Sequence, residues 1–323
     1  MSLGRRERVY GKRLSEGSKF DVRSKCYSLP PTSNLEHRTP MRILITGADG
    51  QLGRELQRVL SGHTLIRAVL PEFDLLKSDV EPYVLAARPD VVFHTASYTD
   101  VDGAEREPDK AMAVNAWGTE RVARAAVKAG ARLIYVSTDY VFDGRKTSPY
   151  VETDEPNPLN AYGRSKLEGE RRAQACCPNT LVVRTAWLYG AHGRNFVNTI
   201  MRLASEQQAL RVVADQRGCP THAGDLATAL AGLLATDLLG IVHATGAGDC
   251  TWYEFAHAIV SLIGARVAVH PITTPEAKRL ALRPAYSVLD NRALAEAGIV
   301  LPHWKDALVR FLSSRTPVHA LNQ

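Results

Sequence analysis

The sequence predicts an α/β protein, a doubly wound parallel sheet followed by a smaller C-terminal lobe. Three observations carry the prediction. Between residues 41 and 187, short and nearly continuous apolar runs alternate with helical patterns. Strands read that way when helices cover a parallel sheet on both faces. A glycine-rich turn joins the first strand to the first helix, and after Trp187 the alternation loosens into short strands, helices and loops.

The first strand is "RILITGA" (42–48). The helix after it places Leu52, Leu56, Val59 and Leu60 on one face. The further strands are "LIRAV" (65–69), "VVFHTA" (91–96), "RLIYVST" (132–138) and "LVVRTAW" (181–187). The helix "TERVARAAVKAG" (119–130) ends on Gly130, in the position of a helix C-cap. Residues 1–40 are polar, end in "SLPPTSNLEHRTP" and show no sustained apolar period. They are expected to be a basic, disordered or loosely attached extension. A tail, an Arg/Ser-rich transit peptide and upstream sequence before a start at Met41 all fit them. The last is favoured, because the first strand begins one residue after Met41.

With 323 residues, 45% of them hydrophobic, the chain can bury a large core. No apolar run reaches the roughly eighteen residues that span a bilayer, and the N-terminus lacks the apolar segment of a secretory signal. Five cysteines (Cys26, Cys176, Cys177, Cys219, Cys250) are an odd number without a C-x-x-C pair. They read as reduced thiols of a cytoplasmic protein. The net charge of +6 is misleading: residues 1–40 hold nine Lys/Arg against four acids, which is +5 of it. The rest of the chain has no basic stripe, so neither nucleic acid nor membrane is an expected partner.

The first strand runs into "TGADGQLG", with Gly47, Gly50 and Gly53 spaced as G-x-x-G-x-x-G before a helix. A pyrophosphate needs bare backbone N–H groups at a helix N-terminus, and side chains there would block it. The context, strand before and helix after, makes this a Rossmann-type dinucleotide site. The dinucleotide-binding domain is expected at 41–187 plus about 221–243, the chain crossing back to the sheet once or twice. A substrate-binding lobe takes about 188–220 and 244–315. Arg67, near the end of the second strand, suits a 2′-phosphate, or points into solvent. Asp74 follows in the next loop, in reach of an adenine. NADPH is the expected cofactor, with NADH left open.

"NAYGRSK" (160–166) puts Tyr162 one helical turn before Lys166, on the same face. It follows the fourth strand, whose carboxyl end is "VSTD" (136–139), and ligands of open α/β sheets bind beyond such ends. A phenol is a poor acid at neutral pH, and a neighbouring ammonium would lower its pKa. A hydroxyl at the strand end can hold a substrate carbonyl. Ser137 and Thr138 both offer one, but their side chains alternate, so only one faces the site.

These residues resemble the extended short-chain dehydrogenase/reductase family and, within it, the dTDP-4-dehydrorhamnose reductases. The likeness covers 41–315 and rests on "ITGADGQLGREL", "HTASYTDVDGAEREPDKAMAVN", "YVSTDYVFDG", "YVETDEPNPLNAYGRSKLEGE", "VVRTAWLYG", "GRNFV", "DQRGCPTHAGDLA" and "RPAYSVLD". It implies that Tyr162 protonates the C4 oxygen, that Lys166 tunes Tyr162 and holds the nicotinamide ribose, and that Thr138 holds the C4 carbonyl. Gly47, Gly50, Gln51, Leu52 and Gly53 would wrap the pyrophosphate, with Ala96 and Tyr98 beside it. Trp187 would lie against the sugar, a gain of about 1 kcal/mol. Asn195 and Arg283 are candidates for the nucleotide diphosphate of the substrate. The plain structural readings are a core Trp187, an Arg283 bridging the two parts, an Asn115 that caps packing rather than ordering water, and an Asp139 that only turns the chain.

The implied reaction is NAD(P)H-dependent reduction of the 4-keto group of dTDP-6-deoxy-L-lyxo-4-hexulose to dTDP-L-rhamnose. One alternative is a non-catalytic NADP-binding module like the regulatory subunit of methionine adenosyltransferase, which the chain resembles less at Thr138 and Trp187. Another is a reductase of a different nucleotide-linked 4-ketosugar. Some members of the reductase family dimerise around magnesium. Here the C-terminal region offers only Glu296 and Asp306, so magnesium is not expected, and a monomer is as compatible as a homodimer.

Overall fold

The computed structural model describes residues 39–77 and 79–315. The expectations placed on the N-terminal extension lie outside the described residues. The chain runs through β1 (Arg42–Thr46), α1 (Gln51–Val59), β2 (Thr64–Ala68), α2 (Val80–Ala87) and β3 (Val91–His94). Two short helices, α3 (Val101–Arg106) and α4 (Pro108–Met112), pass through a π-turn (Ala113–Gly118) into α5 (Thr119–Ala129). Then come β4 (Arg132–Thr138), a 3-10 turn (Asp139–Val141), α6 (Ala161–Cys176) and β5 (Thr180–Thr185).

Beyond β5 lie β6 (Leu188–Tyr189), α7 (Phe196–Glu206), β7 (Ala209–Val213), β8 (Arg217–Gly218), β9 (Thr221–His222), α8 (Ala223–Gly232) and β10 (Gly240–His243). The last elements are β11 (Cys250–Thr251), α9 (Trp252–Leu262), β12 (Ala268–Ile272), α10 (Thr274–Ala277), α11 (Arg292–Glu296) and α12 (Trp304–Ser313).

Six strands form one sheet in the order β10-β5-β4-β3-β1-β2, and every pair in it is parallel. The strand order reverses between β1 and β3, which opens a crevice at their carboxyl ends. The strands read as continuous apolar runs because both faces are buried. Ile43, Ile45, Phe93, Ile134 and Val183 face Leu52 and Leu56 of α1 and Leu226 and Leu230 of α8. Leu44, Val92, Leu133, Tyr135 and Val182 face Val84 of α2, Val122 and Ala126 of α5 and Ala173 of α6. A third apolar cluster, with Val197, Phe255, Ile259, Trp304 and Leu308, holds α7, α9 and α12 together.

Three strands stop two residues before the end of their apolar runs: β1 at Thr46, β3 at His94 and β5 at Thr185. Gly47 turns away at φ 65° and Trp187 at φ 48°. The Ala96 N–H leaves the ladder and donates to Thr46 Oγ1 at 3.2 Å. Of the residues cut from the strands, Ala48 and Ala186 are buried, while Gly47, Thr95, Ala96 and Trp187 are partly exposed. Gly130 caps α5 at φ 70°, as its position predicts.

Candidate active site

At the phosphate end the backbone is bare by construction. A Cβ on Gly47 would stand 2.9 Å from Ala96 Cα, so β1 and the end of β3 touch there. A Cβ on Gly53 would stand 2.3 Å from the Gly47 carbonyl oxygen, so α1 packs directly on the turn. Gly50 is the N-cap of α1, no side chain caps that end, and its first turn carries no acid. Its N–H groups and dipole therefore face the crevice without an internal anion. Gln51 opens the helix, and its Oε1 accepts from Asn195 Nδ2 at 2.8 Å.

Asn195 is at the same time the N-cap of α7, accepting from the Asn198 N–H at 2.9 Å. Its amide also donates to the Gly190 carbonyl at 2.9 Å. Asn195 thus lies beside the cofactor-loop candidate Gln51. Asp74 accepts from the Leu76 N–H at 2.9 Å in the loop after β2, and Arg67 is exposed on that edge strand.

Tyr98 is held from β3's exit by Asn115. The Asn115 Oδ1 accepts from the Tyr98 N–H and from Ser97 Oγ at 2.7 and 2.8 Å. Its Nδ2 donates to the Tyr98 carbonyl and to Ser165 Oγ at 3.1 and 2.9 Å. Two donations and two acceptances use the amide fully, so the side chain packs the crevice floor. Behind it stands a residue that the strand pattern hides. His94 is fully buried, hydrogen-bonded to Thr46 Oγ1 at 2.7 Å and to Thr119 Oγ1 at 3.0 Å. Burial and the nearby Lys166 push its pKa down to about 3, so it is a neutral tie between β1, β3 and α5. A histidine inside an otherwise apolar strand was the only signal of it.

At the chemical end, Asn160 caps α6 by accepting from the Gly163 N–H at 2.7 Å. That start sets Tyr162 and Lys166 one turn apart on the face toward β4. Tyr162 lies close enough to Thr138 for that side chain to bear on the phenol's pKa, and Tyr140 meets its ring edge-on at 6.0 Å. Thr138 also donates to Asp139 Oδ1 at 3.0 Å. The Ser137 hydroxyl is buried and without a hydrogen-bond partner among the described residues. Of the two, Thr138 is the one whose side chain bears on the Tyr162 pKa.

The electrostatics differ from the simple expectation. Burial raises the Tyr162 pKa above its ordinary value, and the neighbouring Thr138 side chain opposes it. The Lys166 ammonium is engaged with β4. Its Nζ donates to the Val136 carbonyl at 2.7 Å and lies 4.2 Å from the centre of the Tyr135 ring. Burial lowers the Lys166 pKa to about 7, against the pull of Glu170. Glu170 is itself paired with Arg184 through two bonds, 3.0 and 2.7 Å, both side chains nearly fully buried. Asp139 does turn the chain, but it is also 2% exposed, and burial raises its pKa to about 7. The sequence pattern showed only the turn.

Trp187 is half-buried and stacks on Trp252, ring centres 3.4 Å apart and planes 6° apart. Arg283 forks onto Asp102 at 3.2 and 3.1 Å, which ties the C-terminal loop to α3 and gives the bridging reading a direct partner.

A Rossmann sheet with a tyrosine, a strand-end hydroxyl and a lysine at the carboxyl end of β4 defines a nicotinamide-dependent oxidoreductase of the extended short-chain dehydrogenase/reductase class. The family model described as RmlD substrate binding domain matches residues 41–316. The dTDP-4-dehydrorhamnose reductase of Sinorhizobium fredii is 40% identical over 286 residues, covering 84% of this chain and 97% of that protein. Spore coat polysaccharide biosynthesis protein SpsK of Bacillus subtilis is 41% identical over 278 residues, 85% and 98% of the two chains. The crystal structure of dTDP-4-dehydrorhamnose reductase from Bacillus anthracis in complex with NADP superposes with a TM-score of 0.83 at 40% identity, covering 85% and 100%. The chain belongs to the RmlD, or dTDP-4-dehydrorhamnose reductase, family.

Proposed function

We propose that the chain reduces the 4-keto group of dTDP-6-deoxy-L-lyxo-4-hexulose to give dTDP-L-rhamnose, with NADPH as preferred cofactor and NADH as the second choice. The observation that carries the reading is the convergence on the end of β4 of Tyr162 and Lys166, one turn apart on α6, with Thr138 beside Tyr162 and Lys166 Nζ on the Val136 carbonyl at 2.7 Å. The cofactor fits the residues present: a Cβ at Gly47 or Gly53 would fill its cradle, and the N-terminus of α1 lacks a side-chain cap. Gly47, Gly50, Gln51, Leu52 and Gly53 would hold the pyrophosphate, Ala96 and Tyr98 would border it, and Asp74 would face the adenine. When bound, the nicotinamide supplies the hydride.

The chain's own residues manage the proton. Thr138 Oγ1 turns its one proton from Asp139 to the C4 carbonyl oxygen and keeps that oxygen against the Tyr162 hydroxyl. Burial keeps Tyr162 protonated until negative charge develops on that oxygen. Tyr162 then gives up its proton, and the new phenolate is a buried charge that Lys166, on the same helix face, can balance. Trp187 offers an indole face to the deoxysugar, and Asn195 and Arg283 are the candidates for the diphosphate, Arg283 on leaving its fork with Asp102. Dinucleotide binding falls to 41–187 and about 221–243, substrate binding to the remainder. No nucleic acid or membrane is required, a monomer or homodimer suffices, and the free cysteines among the described residues suit the cytoplasm.

The test is product identification. The keto sugar is generated from dTDP-glucose by the enzymes that precede this step and is offered beside ketosugars on other nucleotides. dTDP-L-rhamnose as the main product supports the reading. Turnover of a different ketosugar alone would replace the substrate, and NADPH binding with no turnover would favour the regulatory alternative.

A further inference from the structure

Trp187 holds a backbone conformation that bulky residues avoid, φ 48°. It is the residue at which the chain leaves β5 and turns into β6, and its carbonyl accepts from the Thr221 N–H of β9 at 3.3 Å. A strained conformation persists only where its surroundings over-determine it, and such outliers gather at ligand sites. Here the surroundings come from one antiparallel pair. In β8 and β11, Gly218 lies opposite Cys250, and Trp252 follows as the first residue of α9. A Cβ on Gly218 would stand 2.5 Å from Trp187 Cε2, so only glycine leaves room for the indole. Trp252 covers one indole face at 3.4 Å. Phe196, the first residue of α7, backs Trp252 at 4.5 Å between ring centres. One face of Trp187 is therefore committed to protein, and the plane of the other is set by that stack.

We propose that Trp252 is a positioning residue for the reaction: it clamps Trp187 into the orientation in which the indole serves as sugar platform, in the space left by Gly218. The inference rests on the reading of Trp187 as that platform. Trp252 acts through Trp187 and not on the reacting atoms, so the effect belongs in KM for the nucleotide sugar and not in cofactor binding.

The experiment compares Trp187→Ala, Trp252→Ala, Trp252→Phe and Gly218→Ala, with NADPH affinity as the check on folding. Trp252→Ala should raise KM for dTDP-6-deoxy-L-lyxo-4-hexulose roughly three- to tenfold, the worth of one aromatic stack. Trp252→Phe should restore most of it, and Gly218→Ala should mimic the loss. The exciton couplet of the stacked indoles in circular dichroism should vanish in both tryptophan-to-alanine variants and persist when dTDP-L-rhamnose is added to the unmodified protein. If Trp187→Ala raises KM while Trp252→Ala does not, the clamp is wrong and the platform stands. If Trp187→Ala leaves KM unchanged, the platform reading itself fails. A lower KM in Trp252→Ala, or loss of the couplet on adding dTDP-L-rhamnose, would mean that Trp252 competes with the sugar, which overturns the proposal.

Discussion

Burial acts in opposite senses on the two residues, Tyr162 and Lys166, that share one face of α6. It raises the pKa of Tyr162, which keeps the acid loaded, and lowers that of Lys166 to about 7, which makes the cation the group that titrates. Reduction needs both protons in place, so turnover should fall as pH rises through about 7. Asp139, with a pKa of about 7, gains a charge over the same range and opposes phenolate formation beside it. Both shifts therefore point the same way. Asp139→Asn leaves the limb if Lys166 owns it, and Lys166→Arg should move it upward. A rate that stays flat from about pH 6 to about pH 9 would contradict the assignment. Linkage gives the matching sign for stability: between about 7 and the ordinary 10.5, the unfolded chain binds the Lys166 proton more tightly, so this contribution grows with pH. The two hydroxyls at the strand end separate just as sharply. Thr138→Val should cost roughly a hundredfold in kcat, and Ser137→Ala should leave it within about twofold. The reverse order would hand the role to Ser137. Tyr162 and Lys166 were legible as a spacing, because one helical turn is a geometric fact. Asp139 and His94 were not, because their chemistry comes from burial by segments distant in sequence.

The helix α6 carries more than Tyr162 and Lys166. Its next turn presents Glu170 to Arg184 of β5, and both lie out of water. A buried pair of this kind is worth little against an apolar replacement, yet removing one partner strands the other charge. Glu170→Leu should lower stability by about 3–5 kcal/mol, and Glu170→Leu with Arg184→Leu should recover most of that, as read from denaturant midpoints. Equal losses in the single and double variants would show that the pair contributes packing rather than charge balance. Most strands could be read from their apolar runs, since a parallel strand buried on both faces leaves that trace. Their ends could not. Gly47, Ala96 and Trp187 continue the apolar pattern while their backbones have already left the strands.

The whole molecule reverses its strand order between β1 and β3, gathers Thr138, Tyr162 and Lys166 at the end of β4, and sets Trp187 where the chain leaves β5 for the smaller cluster of helices. The doubly wound sheet was readable from the alternation and from one glycine turn. The Trp187–Trp252 stack was not, because it joins residues from elements far apart in the chain. The family match begins at residue 41, so deleting residues 1–40 should leave kcat, KM and the melting temperature unchanged. A large loss of NADPH affinity would make that extension part of the site. The central claim is that Tyr162, set by Thr138 and Lys166, delivers the proton in reduction of the dTDP-linked 4-ketosugar. The most direct measurement is NADPH oxidation with dTDP-6-deoxy-L-lyxo-4-hexulose by the unmodified chain and by Tyr162→Phe at equal cofactor occupancy. The account predicts turnover that falls about 10²- to 10⁴-fold in the variant while NADPH still binds. Full activity in Tyr162→Phe, or no oxidation by the unmodified chain with NADPH or NADH bound, would contradict it.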